Sequence, residues 1–243
     1  WRNLKLIYIT GDIHGEPERL KADAVRRLKK SDTLIVCGDF GFIWDGSEKE
    51  QSLLKKIGRM KPQILFVPGC HDNYDLLAKY PEVDFCGGKA RQICGHLYEL
   101  LRGQIYTIDG KKIFAFGGGI SEDLTMREEG VSWWPQEAPE EAEYEAAISR
   151  LAEHDNTVDY IVTHDISSSI KQFIKMEQEN VEIGKIHAFL NVIGKNVRFT
   201  AWFFGKYHMD KTIPPHYHAL FQSVLKAPGQ EPHSRKKKAV QEK

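Results

Sequence analysis

Short apolar runs that each end in a glycine-containing polar block are the feature that most constrains the fold. Residues 4–10, 34–36 and 64–67 are such runs, and each has the length of one strand. Between them, Pro17 opens one amphipathic pattern and Ser47 opens another, which predicts a helix after each of the first two strands. This order predicts parallel pairing with right-handed crossovers. Polar groups that follow such strands then gather at one edge of the sheet.

The rest of the chain predicts more strands, separated by less regular sequence. Five further runs have a strand-like composition: 104–108, 112–116, 158–162, 197–204 and 217–221. The first two flank Asp109-Gly110, a dipeptide typical of a tight hairpin turn. A long irregular segment, 117–139, follows the hairpin, and its last residue, Pro139, is expected to open a helix that continues to residue 152.

Composition indicates a globular α/β protein and argues against several other classes. The 243 residues, 41% of them hydrophobic, suffice for one large domain or two small ones, and we expect a single domain over residues 1–226. Lysine plus arginine equals aspartate plus glutamate at 34 each, so the net charge does not indicate nucleic acid. Residues 227–243 predict a disordered basic tail.

Targeting signals and cysteine usage favour a cytoplasmic protein without a membrane partner. No apolar run is long enough for a membrane span, and the opening residues lack the pattern of a signal peptide. The four cysteines show neither zinc-ribbon spacing nor a disulfide framework. A reducing compartment fits this usage best.

Aspartate and histidine recur in the polar blocks that follow the strands. The blocks are Gly11-Asp12-Ile13-His14-Gly15, Gly38-Asp39, Gly69-Cys70-His71-Asp72-Asn73, Thr163-His164 and Gly205-Lys206-Tyr207-His208. Asp12 and His14 are two residues apart, a spacing that lets both side chains reach one ion. Carboxylates and imidazoles are ligands for divalent and transition metals. The blocks therefore predict a metal cluster at the carboxyl ends of the strands.

In their order, these blocks resemble those of the calcineurin-like metallophosphoesterase family, over residues 5–224. The family pattern is Asp-x-His, Gly-Asp, Gly-Asn-His-Asp/Glu, a lone His and Gly-His-x-His. The resemblance implies an α/β fold, a four-layer α/β/β/α sandwich of two mixed sheets. It also implies a metal-dependent hydrolase that cleaves a small phosphomonoester or phosphodiester by metal-hydroxide attack.

The resemblance further implies roles for individual residues. The first ion, Mn, Fe or Zn, would be held by Asp12, His14, Asp39 and His208. Asp39 would bridge to a second ion, to which His164 would also bind. His71 would act on the leaving group as proton donor or transition-state stabiliser, with Asp72 able to orient its ring. The alternative for His71 is a histidine that only packs in its loop.

Two residues depart from the family pattern, and both affect the second ion. Cys70 stands where the family has Asn, and Lys206 stands where it has the first His of the last block. A thiolate can ligate but prefers softer metals such as zinc, whereas an ammonium group has no acceptor. We therefore expect one bound ion and a second that is weak or absent. Lys206 would instead supply a fixed positive charge for phosphate, or it reflects loss of function by drift.

Segment 117–139 is expected to border the site as a mobile lid. Its Arg127 matches phosphate geometry and is a candidate for substrate binding, with an ordinary surface arginine as an equal alternative. The sequence after Gly38-Asp39 lacks the Val-Asp-Arg-Gly stretch of protein Ser/Thr phosphatases and dinucleoside tetraphosphatases, so neither substrate class is assigned.

The rival to an enzyme is a catalytically attenuated or inactive member of the same fold that serves as a binding or scaffold module. Retention of the first-ion set and His71 favours the enzyme. Cys70 and Lys206 favour the rival.

Overall fold

A computed structural model of the protein describes residues 5–178 and 180–230, in which thirteen strands and seven α-helices are found. The strands are β1 (Ile7–Thr10), β2 (Thr33–Cys37), β3 (Gln63–Val67), β4 (Glu82–Phe85), β5 (Gly88–Cys94), β6 (Leu97–Leu100), β7 (Gln104–Ile108), β8 (Lys111–Phe116), β9 (Tyr160–Thr163), β10 (Ala201–Phe204), β11 (Lys211–Ile213), β12 (Tyr217–Ala219) and β13 (Leu225–Lys226). The helices are α1 (Pro17–Lys21), α2 (Asp23–Arg26), α3 (Glu48–Ile57), α4 (Tyr74–Leu77), α5 (Glu141–Glu153), α6 (Ser168–Ile174) and α7 (Lys185–Asn196).

The strands form two mixed sheets, and helices cover the outer face of each. One sheet has the order β13-β1-β2-β3-β6-β5-β4, and the other has the order β11-β12-β10-β9-β8-β7. β1, β2, β3 and β6 pair in parallel, as do β8, β9, β10 and β12, and the strands at both edges of each sheet pair antiparallel. The predicted four-layer α/β/β/α sandwich is confirmed.

Side chains alternate between the two faces of each central strand, so a single apolar run in the sequence contributes to two apolar layers. In β2, Ile35 and Cys37 point into the core between the two sheets, whereas Leu34 and Val36 pack under the helices of the first sheet. Successive side chains of a strand point to opposite faces, so a strand that is buried on both faces reads as a continuous apolar run. This is why short runs such as 34–36 predict buried strands.

Several element boundaries differ from those predicted. The helix expected after Pro17 is two short helices, separated at Ala22, whose ψ is 147°. Arg19 of α1 donates to the carbonyl oxygen of Asp12 at 2.9 Å, which holds α1 against the loop after β1. The strand expected over 197–204 begins only at Ala201, because α7 runs through Asn196.

The predicted tail does not begin at residue 227. Ala227 is buried, and Gln230 bonds to the backbone of Ile7 in both directions, at 2.7 and 2.9 Å. Residues 227–230 therefore extend the packing along β1, and the rest of the predicted tail, 231–243, lies outside the described residues. Over the described part of the chain, no helix combines the length and apolarity needed to span a membrane.

Candidate functional site

Loops at the carboxyl ends of β1, β2, β3, β9 and β10 converge at the edge where the two sheets meet. The loop after β1 is bonded to the loop after β2, because the amides of Ile13 and His14 both donate to the carbonyl oxygen of Asp39, at 3.0 and 2.8 Å. Gly205 after β10 lies so close that a Cβ there would stand 2.0 Å from Asp12 Oδ1. Only glycine permits this approach of the backbone to a carboxylate.

Four non-glycine residues at this edge have left-handed backbone conformations. The φ angles of His14, Asp39, Lys206 and His208 are 51°, 41°, 65° and 46°. Such conformations cost on the order of 1–3 kcal/mol each and concentrate at functional sites. The folded structure therefore maintains strain where these side chains converge.

Asp12, His14 and His208 form a first group that could hold a metal ion. The Nε2 atoms of the two histidines are 2.9 Å apart, and they lie 3.8 Å (His14) and 3.2 Å (His208) from Asp12 Oδ2. The Asp12 carboxylate is buried and accepts the backbone amide of Lys206 at 3.0 Å. Residues of the first and last polar blocks therefore lie side by side in the structure.

Asp12, Asp39 and His164 form a second such group, and all three are buried. Nδ1 of His164 lies 3.2 Å from the carbonyl oxygen of Cys37 and donates to it, so Nε2 is the nitrogen that would bind a metal ion in place of a proton. Nε2 is 3.5 Å from Asp39 Oδ1 and has no hydrogen-bond partner among the described residues. A buried nitrogen without a partner is costly, and a divalent ion would satisfy it. The donors thus fit a metal centre.

Mutual charge within the cluster shifts its pKa values in opposite directions. Burial alone would raise the pKa of Asp39, but His164 and His71 outweigh burial and hold that pKa below its ordinary value. Burial alone would lower the pKa of His164, but Asp39 and Asp12 hold that pKa well above its ordinary value. These are the electrostatics of a site that attracts positive charge.

His71 belongs to a third candidate metal group, with His14 and Asp39. Its Nδ1 lies 2.8 Å from Asp39 Oδ2, and its backbone amide donates to Asp39 Oδ1 at 2.7 Å. Its ring is therefore oriented by Asp39. The expectation that Asp72 orients this ring is not met.

Asp72 instead ties two loops together beneath the site. Its buried carboxylate accepts three backbone amides: Phe40 at 3.2 Å, Gly41 at 2.8 Å and Gly69 at 2.9 Å. A carboxylate saturated by amides of the loops after β2 and β3 is turned away from the neighbouring histidine. Burial, followed by the charge of Asp39, raises the pKa of Asp72 to about 7.

Lys206 points into the site and contacts Cys70, the other residue that departs from the family pattern. The Lys206 ammonium lies 3.1 Å from Cys70 Sγ and donates to the Ile120 carbonyl oxygen at 2.8 Å. It also lies 3.6 Å from Asp165 Oδ2, and its side chain is 12% exposed. Burial would lower the pKa of Lys206, but the Cys70 sulfur and the Asp165 carboxylate outweigh burial and hold that pKa above its ordinary value.

A buried polar network behind Lys206 was missed by sequence reasoning. Asp165 accepts the Tyr207 hydroxyl at 2.8 Å and lies 3.0 Å from His187 Nε2. Asp165, His187 and Lys171 are all buried, and the Lys171 ammonium reaches Glu122 of segment 117–139 at 3.1 Å. The available signal was the Asp that directly follows His164 at the end of β9.

Arg127 reaches the site from segment 117–139. Its guanidinium bonds to Nε2 of His71, donates to the carbonyl oxygen of Cys70 at 3.2 Å, and pairs with Asp123 at 2.8 Å. Its side chain is 6% exposed. The segment therefore borders the site, as predicted, and Arg127 is no ordinary surface residue. Trp134 of the same segment packs in the fold, where it is buried and donates to Asp75.

The family model described as calcineurin-like phosphoesterase matches residues 5–205. The chain belongs to the calcineurin-like phosphoesterase family. Membership implies divalent-metal binding and, in general, metal-dependent hydrolysis of phosphate esters, and the Asp/His groups described above could hold such a metal.

Two solved structures are similar to this chain at low sequence identity. Phosphopantetheinyl hydrolase (PptH) from Mycobacterium tuberculosis is 15% identical over 89% of this chain and 88% of that chain, with a TM-score of 0.44. A putative 5′-nucleotidase from Staphylococcus aureus, solved in complex with alpha-ketoglutarate, is 12% identical over 88% of this chain and 48% of that chain, with a TM-score of 0.45. This chain therefore spans about half the length of the second protein. No curated protein matches the chain.

Proposed function

We propose that this protein is a metal-dependent phosphoesterase that hydrolyses a small phosphomonoester or phosphodiester. The observation that carries the proposal is that candidate metal ligands and cationic side chains border one cavity of 680 Å³. Asp39, His164 and His208 line this cavity together with Arg127 and Lys206. A phosphate ester needs such an arrangement, with anionic donors that retain a metal ion and cations that bind its oxygens.

Asp12, His14, Asp39 and His208 would hold one divalent ion, and N/O sites of this kind accept Mn, Fe or Zn. When bound, such an ion lowers the pKa of a coordinated water and polarises phosphoryl oxygens. A second position would have Asp39, His164 and the Cys70 sulfur as donors. Because the Lys206 ammonium lies 3.1 Å from that sulfur, it would oppose a second cation there.

Lys206 would supply the charge that the second ion provides elsewhere in the family. The network behind it favours a built-in function over drift, because Asp165 is itself held by Tyr207 and His187. An ammonium fixed in this way can bind phosphoryl oxygens without rearrangement, although it activates water less than a metal ion would.

His71 would assist the leaving group, with its Nδ1 held by Asp39 and its Nε2 bonded to Arg127. Because Arg127 donates to Nε2, the ring proton lies on Nδ1 in this arrangement. A substrate phosphate that attracts Arg127 would free Nε2, which would have to take a proton from water before it could donate that proton to the leaving-group oxygen. Asp72 would hold the loop that carries Asp39 and the loop that carries His71 in fixed positions relative to each other.

The test is metal content combined with turnover. Protein purified without chelator is expected to contain about one Mn, Fe or Zn per chain, and added manganese is expected to support hydrolysis of 4-nitrophenyl phosphate or bis(4-nitrophenyl) phosphate. The preferred ester decides between monoesterase and diesterase. Two tightly bound ions per chain would contradict the single-ion proposal, and no turnover of either ester with metal bound would contradict the enzyme.

The second candidate is a binding or scaffold module with the same fold. The observation that favours it is the contact of Lys206 with Cys70, since each side chain is then bonded to the other and neither binds a second ion. A metal-loaded protein that binds inorganic phosphate but turns over neither ester would support this candidate.

A further inference from the structure

The cavity beside the metal donors extends well past the space that one phosphate group needs. Its volume of 680 Å³ lies in the range of pockets that enclose drug-sized ligands. Part of the lining is apolar: Phe173 and Met176 belong to α6 and the turn after it, and Met209 follows His208 in the loop after β10. This part of the cavity has an apolar wall beside a charged centre.

Two of the nine large apolar side chains that are exposed among the described residues line this cavity. Phe173 is 44% exposed and Met176 is 64% exposed, although both line the cavity. Three more of the exposed large apolar residues among the described ones, Leu124, Met126 and Val131, belong to segment 117–139, which carries Arg127. Exposed apolar groups beside a polar centre are typical of ligand sites, and methionines adapt to flat ligands of varied shape.

Lys211 adds a cation to the same part of the cavity. Its ammonium lies 5.5 Å from the centroid of the Phe173 ring, and no carboxylate pairs with it among residues 5–178 and 180–230. The neighbouring Lys175, by contrast, bonds to both oxygens of Glu122 at 2.8 and 2.7 Å. An ammonium in this position can pair with an anionic group of a ligand.

We infer that this part of the cavity binds the leaving group of the phosphate ester, and that this group carries a planar aromatic ring with an anionic substituent. The ring would pack on Phe173 between the two methionines, and the anionic substituent would pair with Lys211. This inference rests on the proposed function for the position of the phosphate. It adds the class of substrate, an aryl-bearing phosphate ester.

Binding of unreactive phosphonates tests the inference without turnover. Titration calorimetry of manganese-loaded protein would compare benzylphosphonate, ethylphosphonate and 4-carboxybenzylphosphonate. The ring is expected to tighten binding about tenfold over ethyl, and the carboxylate about fivefold more. Phe173→Ala should reduce the benzyl preference to within about twofold, and Lys211→Ala should remove only the carboxylate gain.

Two matched variants control for general effects of surface truncation. Ile148→Ala removes a similarly exposed apolar side chain from α5, and Lys55→Ala removes an exposed cation from α3. Both should leave all three affinities unchanged. Equal affinity for benzyl and ethyl phosphonates, or a benzyl preference that survives Phe173→Ala, would overturn the inference. A benzyl preference without any ester hydrolysis would contradict the proposed function and leave this binding site standing.

Discussion

The site has two halves that are held in place by different means. The carboxylate half, Asp12, His14, Asp39 and His208, is fixed by its own backbone, with three left-handed residues and amides bonded from loop to loop. The lysine half, Cys70, Asp165, His187 and Lys206, is fixed by a chain of side-chain contacts that reaches segment 117–139 through Lys171.

The halves also differ in charge balance. The carboxylate half brings together two carboxylates and two imidazoles, and the nearby His164 has a buried nitrogen without a partner among the described residues. The lysine half brings its own cation, paired with Asp165. Under the proposed function, such a site would need metal on one side only, and the following experiments test that division.

The largest effect is expected from the carboxylate half. Asp39→Asn removes the anion that faces three histidines, so hydrolysis should fall on the order of 10³-fold and bound metal should be lost. The control is Asp32→Asn, at the other end of β2, where a buried carboxylate accepts the backbone amides of Leu6 and Lys29. Metal analysis and kcat/KM would be measured on both, with circular dichroism for folding. Retention of metal in Asp39→Asn would contradict the assignment.

Truncation in the lysine half should affect anion binding without removing the metal. Lys206→Ala is expected to weaken binding of phosphate or vanadate by about 10–100-fold, because a charge-assisted hydrogen bond is lost. The sequence alone predicts that binding suffers more than folding. The contact with Asp165 adds a folding cost of up to about 3–5 kcal/mol, because one partner of a buried pair is removed.

A double variant separates these two effects of Lys206. Lys206→Ala with Asp165→Asn should recover most of the lost free energy of unfolding, measured by urea denaturation, without recovering phosphate binding. If the double variant binds phosphate as well as the native protein does, Lys206 is not the anion-binding cation.

Restoring the family ligands should allow both halves of the site to bind a metal ion. Cys70→Asn with Lys206→His supplies an amide oxygen and an imidazole, so metal content should rise from about one to about two ions per chain, with about tenfold faster hydrolysis in manganese. Cys70→Asn alone keeps the ammonium and should stay at one ion. If hydrolysis does not rise in the double variant, a missing second ion is not what limits activity.

The smallest effect is expected at segment 117–139, whose Glu122 pairs with Lys171 behind the lysine half and whose Arg127 bonds to His71, the ring that Asp39 holds. Limited proteolysis should cut this segment first among internal sites, and vanadate should slow cleavage by a few-fold because it engages the residues that the segment contacts. Cleavage that no phosphate analogue slows would leave the segment as surface alone.

Local sequence signals predicted those parts of the fold where the residue types strongly favour one backbone conformation or one degree of burial. The hairpin of β7 and β8 turns at Asp109-Gly110, where both φ angles are positive, at 48° and 76°, as this dipeptide favours. The central strands were predictable because they are buried on both faces. The break at Ala22 was not, since alanine favours a helix and the break accompanies tertiary contacts of Arg19.

The site was predictable as a set of side chains, but their partners were not. The order of the polar blocks predicted one set of Asp12, His14, Asp39 and His208; in the structure Asp12, His14 and His208 form one candidate group, and Asp39 belongs to the two groups beside it. Asp72 was expected beside His71 because they are adjacent in sequence, yet adjacent residues of a loop point apart, and its carboxylate faces three amides. The contact of Asp165 with His187 joins the loop after β9 to α7, and sequence reasoning predicted neither α7 nor α6, which lies between them in the chain.

The position of the donors across the two sheets has a mechanical consequence. Asp12 and Asp39 follow strands of the first sheet, whereas His164 and His208 follow strands of the second. An ion shared by these side chains would cross-link the two layers of the sandwich at one edge. By mass action, free metal at 100 times its dissociation constant would add about 2.7 kcal/mol to the free energy of unfolding. Thermal stability would then follow free metal concentration even in a protein that turns over no substrate.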